Sequence, residues 1–152
     1  MVRSANPADV SWIEQLLDVH WGGRVTVVNE QPIDLLELST FVVGEQDGIA
    51  IFRAEPQAEL LLLHAMKTNV GIGTALLKHL TLHLHERGVK QLRVTTTNDN
   101  ARAISFYERR GFRLETIRAG AVDRARRCKP EIPLTGEGGI AIHDELVFVL
   151  NI

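Results

Sequence analysis

Glu59-Leu60-Leu61-Leu62-Leu63-His64-Ala65-Met66-Lys67-Thr68-Asn69-Val70-Gly71-Ile72-Gly73-Thr74-Ala75-Leu76-Leu77 is the stretch that decides the architecture. Leu60 to Met66 is apolar on both faces, which suits a central strand covered from two sides. The Gly71-Ile72-Gly73 turn follows, and then Leu76, Leu77, Leu80 and Leu84 recur as one helical stripe that Gly88 closes. A strand delivered through glycines into a helix brings unpaired N–H groups and a partial positive charge to one point. Such a junction suits a phosphate. The turn lacks the Lys-Ser/Thr ending of an ATPase phosphate loop, and it lacks the third spaced glycine and the strand-end acid of a dinucleotide fold.

Outward from this stretch the chain alternates. Asn6-Pro7 opens a helix whose apolar face is Val10, Ile13, Leu16 and Leu17, and Gly22-Gly23 ends it. Arg24 to Val28 is strand-like. Residues 29–39 are ambiguous, with Pro32 arguing against a long element. Phe41 to Val43 and Ile49 to Phe52 flank Gln46-Asp47-Gly48 as a hairpin. Downstream, Leu92 to Thr97 reads as a strand, Ala101 to Arg110 as a helix stopped by Gly111, and Phe112 to Ile117 as a strand. Residues 120–142 form a connection with room for a short helix at 122–128, and Glu145 to Leu150 is the last strand. With no repeat and no composition break, the chain reads as one α/β domain over residues 1–152.

Composition narrows the function. The 152 residues carry 17 basic and 19 acidic side chains, with no electrostatic footprint for nucleic acid. The start, MVRSANPADV, has no signal-peptide core, and no apolar run is long enough to span a bilayer. The single cysteine, Cys128, cannot form an internal disulfide, so the expectation is a cytoplasmic protein. His79 and His83 share a helix face without the acid or cysteines of a metal site, and together with His85 they read as solvated surface with no metal. Arg124, Arg126, Arg127 and Lys129 read as a solvated basic face. Trp12 and Trp21 read as packing residues.

A second block, Asn100-Ala101-Arg102-Ala103-Ile104-Ser105-Phe106-Tyr107-Glu108-Arg109-Arg110-Gly111-Phe112, closely resembles the C-terminal signature of the GNAT superfamily, the general-control-related N-acetyltransferases. The Gly71-Ile72-Gly73 turn resembles the coenzyme motif of that family, although Thr68 and Asn69 stand where Arg or Gln and a glycine are usual. The tail from Lys129 to Leu134, with His143 to Leu146, resembles an uncharacterised bacterial subgroup.

The resemblance implies a mostly antiparallel mixed sheet, flanked by helices and splayed between its fourth and fifth core strands. It implies an enzyme that moves an acetyl or short acyl group from acetyl-CoA to an amine; a non-catalytic acyl-CoA-binding module of the same fold is the alternative. It further implies that backbone groups of Leu63, His64 and Ala65 pair with the pantetheine arm, and that the N–H groups of Asn69, Val70, Gly71, Ile72, Gly73 and Thr74 hold the pyrophosphate. Asn100 then hydrogen-bonds the arm, Ala103 and Phe106 pack beside it, and Tyr107 lies near the sulfur as general acid. Partners are acetyl-CoA, an amine acceptor and, as in related dimers, a second copy of the chain.

The chemistry needs a base for the attacking amine. Glu59 at the head of the strand is the first candidate and His64 the other. Strict alternation along the strand puts these two on opposite faces unless a bulge intervenes.

Overall fold

The computed structural model describes residues 1–68 and 70–152. In chain order its elements are β1 (Val2–Ser4), α1 (Val10–His20), β2 (Val25–Val28), β3 (Gln31–Asp34), β4 (Ser39–Val43), β5 (Gly48–Arg53), β6 (Glu59–Ala65), α2 (Ile72–His85), β7 (Gln91–Thr97), α3 (Ala101–Arg109), β8 (Arg113–Arg118), α4 (Ala121–Ala125) and β9 (Glu145–Asn151). Among the described residues the architecture is α/β, with a mixed sheet of seven strands, a two-stranded sheet of β2 and β3, and four α-helices. Among the described residues no helix is long and apolar enough to cross a membrane. Contacts divide the chain into two compact units. The first comprises Met1–Arg24, Asp34–Leu92 and Ile152; the second comprises Val25–Ile33 and Arg93–Asn151.

In the first unit β1, β4, β5 and β6 lie side by side, each antiparallel to its neighbour. One face carries Val42, Ile49, Ile51 and Leu62, which pack with Ile13, Leu16, Leu17 and Leu35 in a dry cluster. That cluster buries the apolar stripe of α1, at roughly 1.5–3 kcal/mol per large side chain. The entry to α1 is a 3-10 turn, Pro7–Asp9, closed by a reciprocal cap. Ala8 N–H donates to Asn6 Oδ1 at 2.9 Å, and Asn6 N–H donates to Asp9 Oδ2 at 2.8 Å. The Asn6-Pro7 signal therefore marks a helix start, as expected.

The opposite face receives α2 through Leu76, Leu77, Leu80 and Leu84, all buried. Gly48 makes this approach possible: a Cβ there would stand 2.6 Å from Ile72 Cγ2 and 2.8 Å from the His64 carbonyl oxygen. His79 and His83 are only partly exposed, where the sequence expectation was a solvated surface. Their rings stand edge-on against Phe41, with centroids at 4.6 and 5.1 Å, and burial pushes the His83 imidazole below its ordinary value. The leucine stripe continues onto these two flanks of the helix, so an aromatic floor covers them. No group of three or more potential metal ligands occurs among the described residues.

In the second unit β7, β9 and β8 lie in that order, with β8 and β9 antiparallel. The ambiguous segment 29–39 supplies β3, joined to β2 by Asn29 and Glu30, both left-handed at φ 51° and 62°. This is hairpin-turn geometry without a glycine, and Pro32 is accommodated because the sheet has only two strands. The basic run is not a solvated face either. Arg126 donates to the carbonyls of Ile132, Pro133 and Ile142, Lys129 donates to that of Val25, and Arg124 pairs with Glu30. Three of the four cations thus staple the 120–142 connection and the β2–β3 hairpin; Arg127 and Cys128 are exposed.

Candidate functional site

Glu59 opens β6 and is buried, although the side chain is a carboxylate. Its partner is Arg53, the last residue of β5 and its cross-strand neighbour. Arg53 Nη2 and Nε donate to Glu59 Oε1 at 2.6 and 3.2 Å. Both bonds end on Oε1, so Oε2 is the oxygen on which a further proton or donor can act.

Past Glu59 the β5–β6 ladder slips. Leu60 faces Phe52 and Leu62 faces Ile51, which leaves Leu61 without a partner on β5. This is a β-bulge, and it changes the parity of the strand. Arg53, Ile51 and Ile49 share one face of β5, and their partners are Glu59, Leu62 and His64. The two candidate bases therefore lie on one face, the α1 face, and not on opposite faces as strict alternation expects.

Backbone direction follows from the same ladder. Met66 N–H donates to the Asp47 carbonyl at 2.8 Å, so alternate residues back along β6 turn their amides the same way. His64 points its N–H and C=O at β5, while Leu63 and Ala65 point theirs away. The Leu63 and Ala65 groups face away from β5, the direction that the expected coenzyme pairing requires. The His64 backbone does not, because its groups belong to the β5 ladder.

The His64 side chain is half-buried. Trp21 Nε1–H donates to its Nδ1 at 3.1 Å, and the His20 ring stacks on it at 4.7 Å between centroids. Burial, and then the neighbouring His20, hold the imidazole below its usual value. Trp21 is thus a hydrogen-bonding partner of the strand, a role the sequence did not signal. Trp12 donates to Asp9 Oδ1 at 2.9 Å and helps line a cavity of about 190 Å³ on the α1 face, with Leu16, His20 and Met66.

Beyond β6 come Met66, Lys67, Thr68, Val70 and Gly71, all exposed; Asn69, an expected pyrophosphate donor, lies outside the described residues. Gly71 sits at the N-cap of α2 with φ 82°, a left-handed conformation that a side chain would strain. Gly71 itself offers no side chain to cap α2, and the first turn of the helix holds no acidic residue. The N–H groups at Ile72 and Gly73 are therefore directed out of the helix end with its partial positive charge.

In the second unit Asn100 caps α3, its Oδ1 accepting from Ala103 N–H at 3.1 Å, which leaves the side-chain NH₂ as its donor. Ala103 and Phe106 are half-buried, and the Arg110 guanidinium lies 3.6 Å over the Phe106 ring. Tyr107 is 6% exposed and packs edge-on between Phe106 and Phe112. Burial raises its phenol well above the ordinary value, so it stays protonated through the physiological range. On β7, Thr95 Oγ1 is buried with no hydrogen-bond partner, the only such side-chain atom among the described residues. A bound ligand or water satisfies atoms of this kind.

Strand, bulge and left-handed glycine lead into a helix end suited to an anionic ligand, and comparison with known proteins identifies the class of fold. The model of the acetyltransferase (GNAT) family matches residues 30–112. The uncharacterized proteins YxbD and YdhI of Bacillus subtilis strain 168 are 38% and 36% identical to the chain over 135 and 134 residues. Those matches cover 86% and 85% of this chain, and 85% and 84% of the relatives. The chain belongs to the GNAT acetyltransferase family. Its fold is also that of a GNAT family acetyltransferase from Elizabethkingia anophelis crystallised with acetyl-CoA, with a TM-score of 0.71 and 18% identity over 100% of this chain and 97% of the other.

Proposed function

We propose that residues 1–152 act as one cytoplasmic N-acyltransferase domain that moves an acetyl or other short acyl group from acetyl-CoA to an amine. One observation carries the reading. In the first unit the backbone groups of Leu63 and Ala65 turn away from β5, and β6 is followed in the chain by the acid-free N-terminus of α2 at Gly71. Strand amides and carbonyls turned away from β5 suit the amides of a pantetheine arm, and an acid-free helix end suits a pyrophosphate. Val70, Gly71, Ile72, Gly73 and Thr74 are the proposed pyrophosphate contacts, and Asn100, Ala103 and Phe106 the proposed contacts of α3 with the coenzyme.

The amine must be neutral to attack the thioester carbonyl. Glu59 takes its proton on Oε2, directly or through water, while Arg53 holds Oε1. The N–H of Leu61, the extra residue of the bulge, is a candidate donor to the tetrahedral oxyanion. The C–S bond then breaks, and Tyr107 is the proposed proton donor to the departing thiolate. Holding amine and thioester together contributes up to roughly 7–11 kcal/mol of the acceleration.

The test is release of CoA thiol from acetyl-CoA in the presence of a panel of amines. Amine-dependent release supports the reading. Coenzyme binding without release from any amine would leave only a binding module.

A further inference from the structure

We infer that Trp21 is a positioning residue that fixes His64 as a hydrogen-bond donor through Nε2–H and so keeps it from serving as the base. The indole of Trp21 sets the direction of this bond. Its ring nitrogen carries a hydrogen and offers no lone pair, so it only donates. A neutral imidazole has one lone pair and one N–H. Because Trp21 Nε1–H points at His64 Nδ1 at 3.1 Å, the lone pair is on Nδ1 and is already used. The hydrogen is then on Nε2, and the chemistry left to this ring is donation.

The surroundings act in the same direction. The ring is half-buried, His20 from α1 stacks on it at 4.7 Å, and Trp21 meets it edge-on at 6.0 Å. Its cross-strand neighbour on β5 is Ile49. None of these groups is anionic, so nothing among them stabilises an imidazolium, and both burial and His20 oppose one. The bulge at Leu61 makes this matter, since it sets His64 on the same face as Glu59. Two candidate bases share a face, and the Trp21 bond withdraws one of them. What remains for His64 is to donate to an oxygen of the bound substrates.

The catalytic consequence rests on the acyltransferase reading, whereas the tautomer does not. Long-range ¹H–¹⁵N spectra of the free protein read it directly. The expected result is an unprotonated Nδ1 and a protonated Nε2 for His64. Trp21→Phe removes the donor to the neutral form, so the His64 titration midpoint should rise by about 0.5–1 pH unit. In turnover, His64→Ala should lower kcat/KM about tenfold. His64→Gln, whose amide N–H replaces Nε2–H, should recover part of that loss and keep the acid limb of the pH profile in place. A protonated Nδ1 in the wild-type protein overturns the inference even if no acyl transfer is found. Loss of the acid limb in His64→Gln overturns it too, because His64 would then be the base.

Discussion

Two buried glutamates, each paired with an arginine, show how the same ion pair serves different ends. Glu145, at the head of β9 in the second unit, accepts from Arg118 Nη1 at 2.9 Å. It also accepts from the Asn29 N–H, at 3.1 Å on Oε1 and 3.3 Å on Oε2. Both its oxygens are occupied, and its side chain is 4% exposed. Glu59, at the head of β6 in the first unit, receives both of its bonds on one oxygen, and its side chain is 11% exposed. The saturated carboxylate is a staple for the turn at Asn29. The half-used one retains a site for a proton. Burial alone does not separate the two carboxylates; the distribution of donors over their oxygens does.

If that distinction holds, substitution should separate the two residues. The largest effect is expected from Glu59→Gln, which preserves shape and removes the proton acceptor. Its kcat should fall by about 10²–10⁴-fold while acetyl-CoA affinity stays near that of the wild type, as steady-state kinetics and calorimetry would show. Tyr107→Phe comes next, with kcat lower by roughly 10–100-fold at unchanged coenzyme affinity. An unchanged rate would remove Tyr107 from the chemistry.

Glu145→Gln should do the reverse of Glu59→Gln. Arg118 and the Asn29 amide lose a charged partner, so stability should drop by about 2–3 kcal/mol. That corresponds to a Tm lower by roughly 5–10 °C, with the folded protein still turning over.

The smallest effect is electrostatic. His64 and His83 are held below their ordinary values by burial, so the unfolded chain binds more protons than the folded one. Their contribution is complete above about pH 7 and is lost as pH falls through about 6.5. Denaturant melts at pH 7.5 and 5.5 should show it, and the double variant His64→Gln, His83→Gln should flatten the difference. Asp9, Asp34 and Asp144 are held below the usual carboxylate range by their hydrogen-bonding partners, and they add a separate loss at more acidic pH.

How much of this was legible in the sequence follows from what each feature depends on. The leucine stripe of α2, the Gly71 turn and the Asn100 cap are local, and periodicity or capping chemistry reveals them. The bulge was hidden because it falls in four consecutive leucines, where a change of parity leaves no mark in the pattern. Glu59 and His64 consequently read as facing opposite ways. Trp21 and His64 are 43 positions apart, and Glu145 and Asn29 are 116 apart. Only the fold brings such pairs together. Asn29-Glu30 lacks the glycine that usually signals a two-residue hairpin. His79, His83 and the basic run were misread for a related reason: residue type suggests solvent, and the aromatic floor and the carbonyls that receive them come from other elements.

Calorimetric titration of the wild-type protein with acetyl-CoA bears most directly on the proposed coenzyme site of β6 and α2. Saturable one-to-one binding is expected, weakened at least tenfold in a Gly71→Val variant that forces a side chain into the left-handed helix cap. No heat at millimolar acetyl-CoA, or binding indifferent to that substitution, would contradict it.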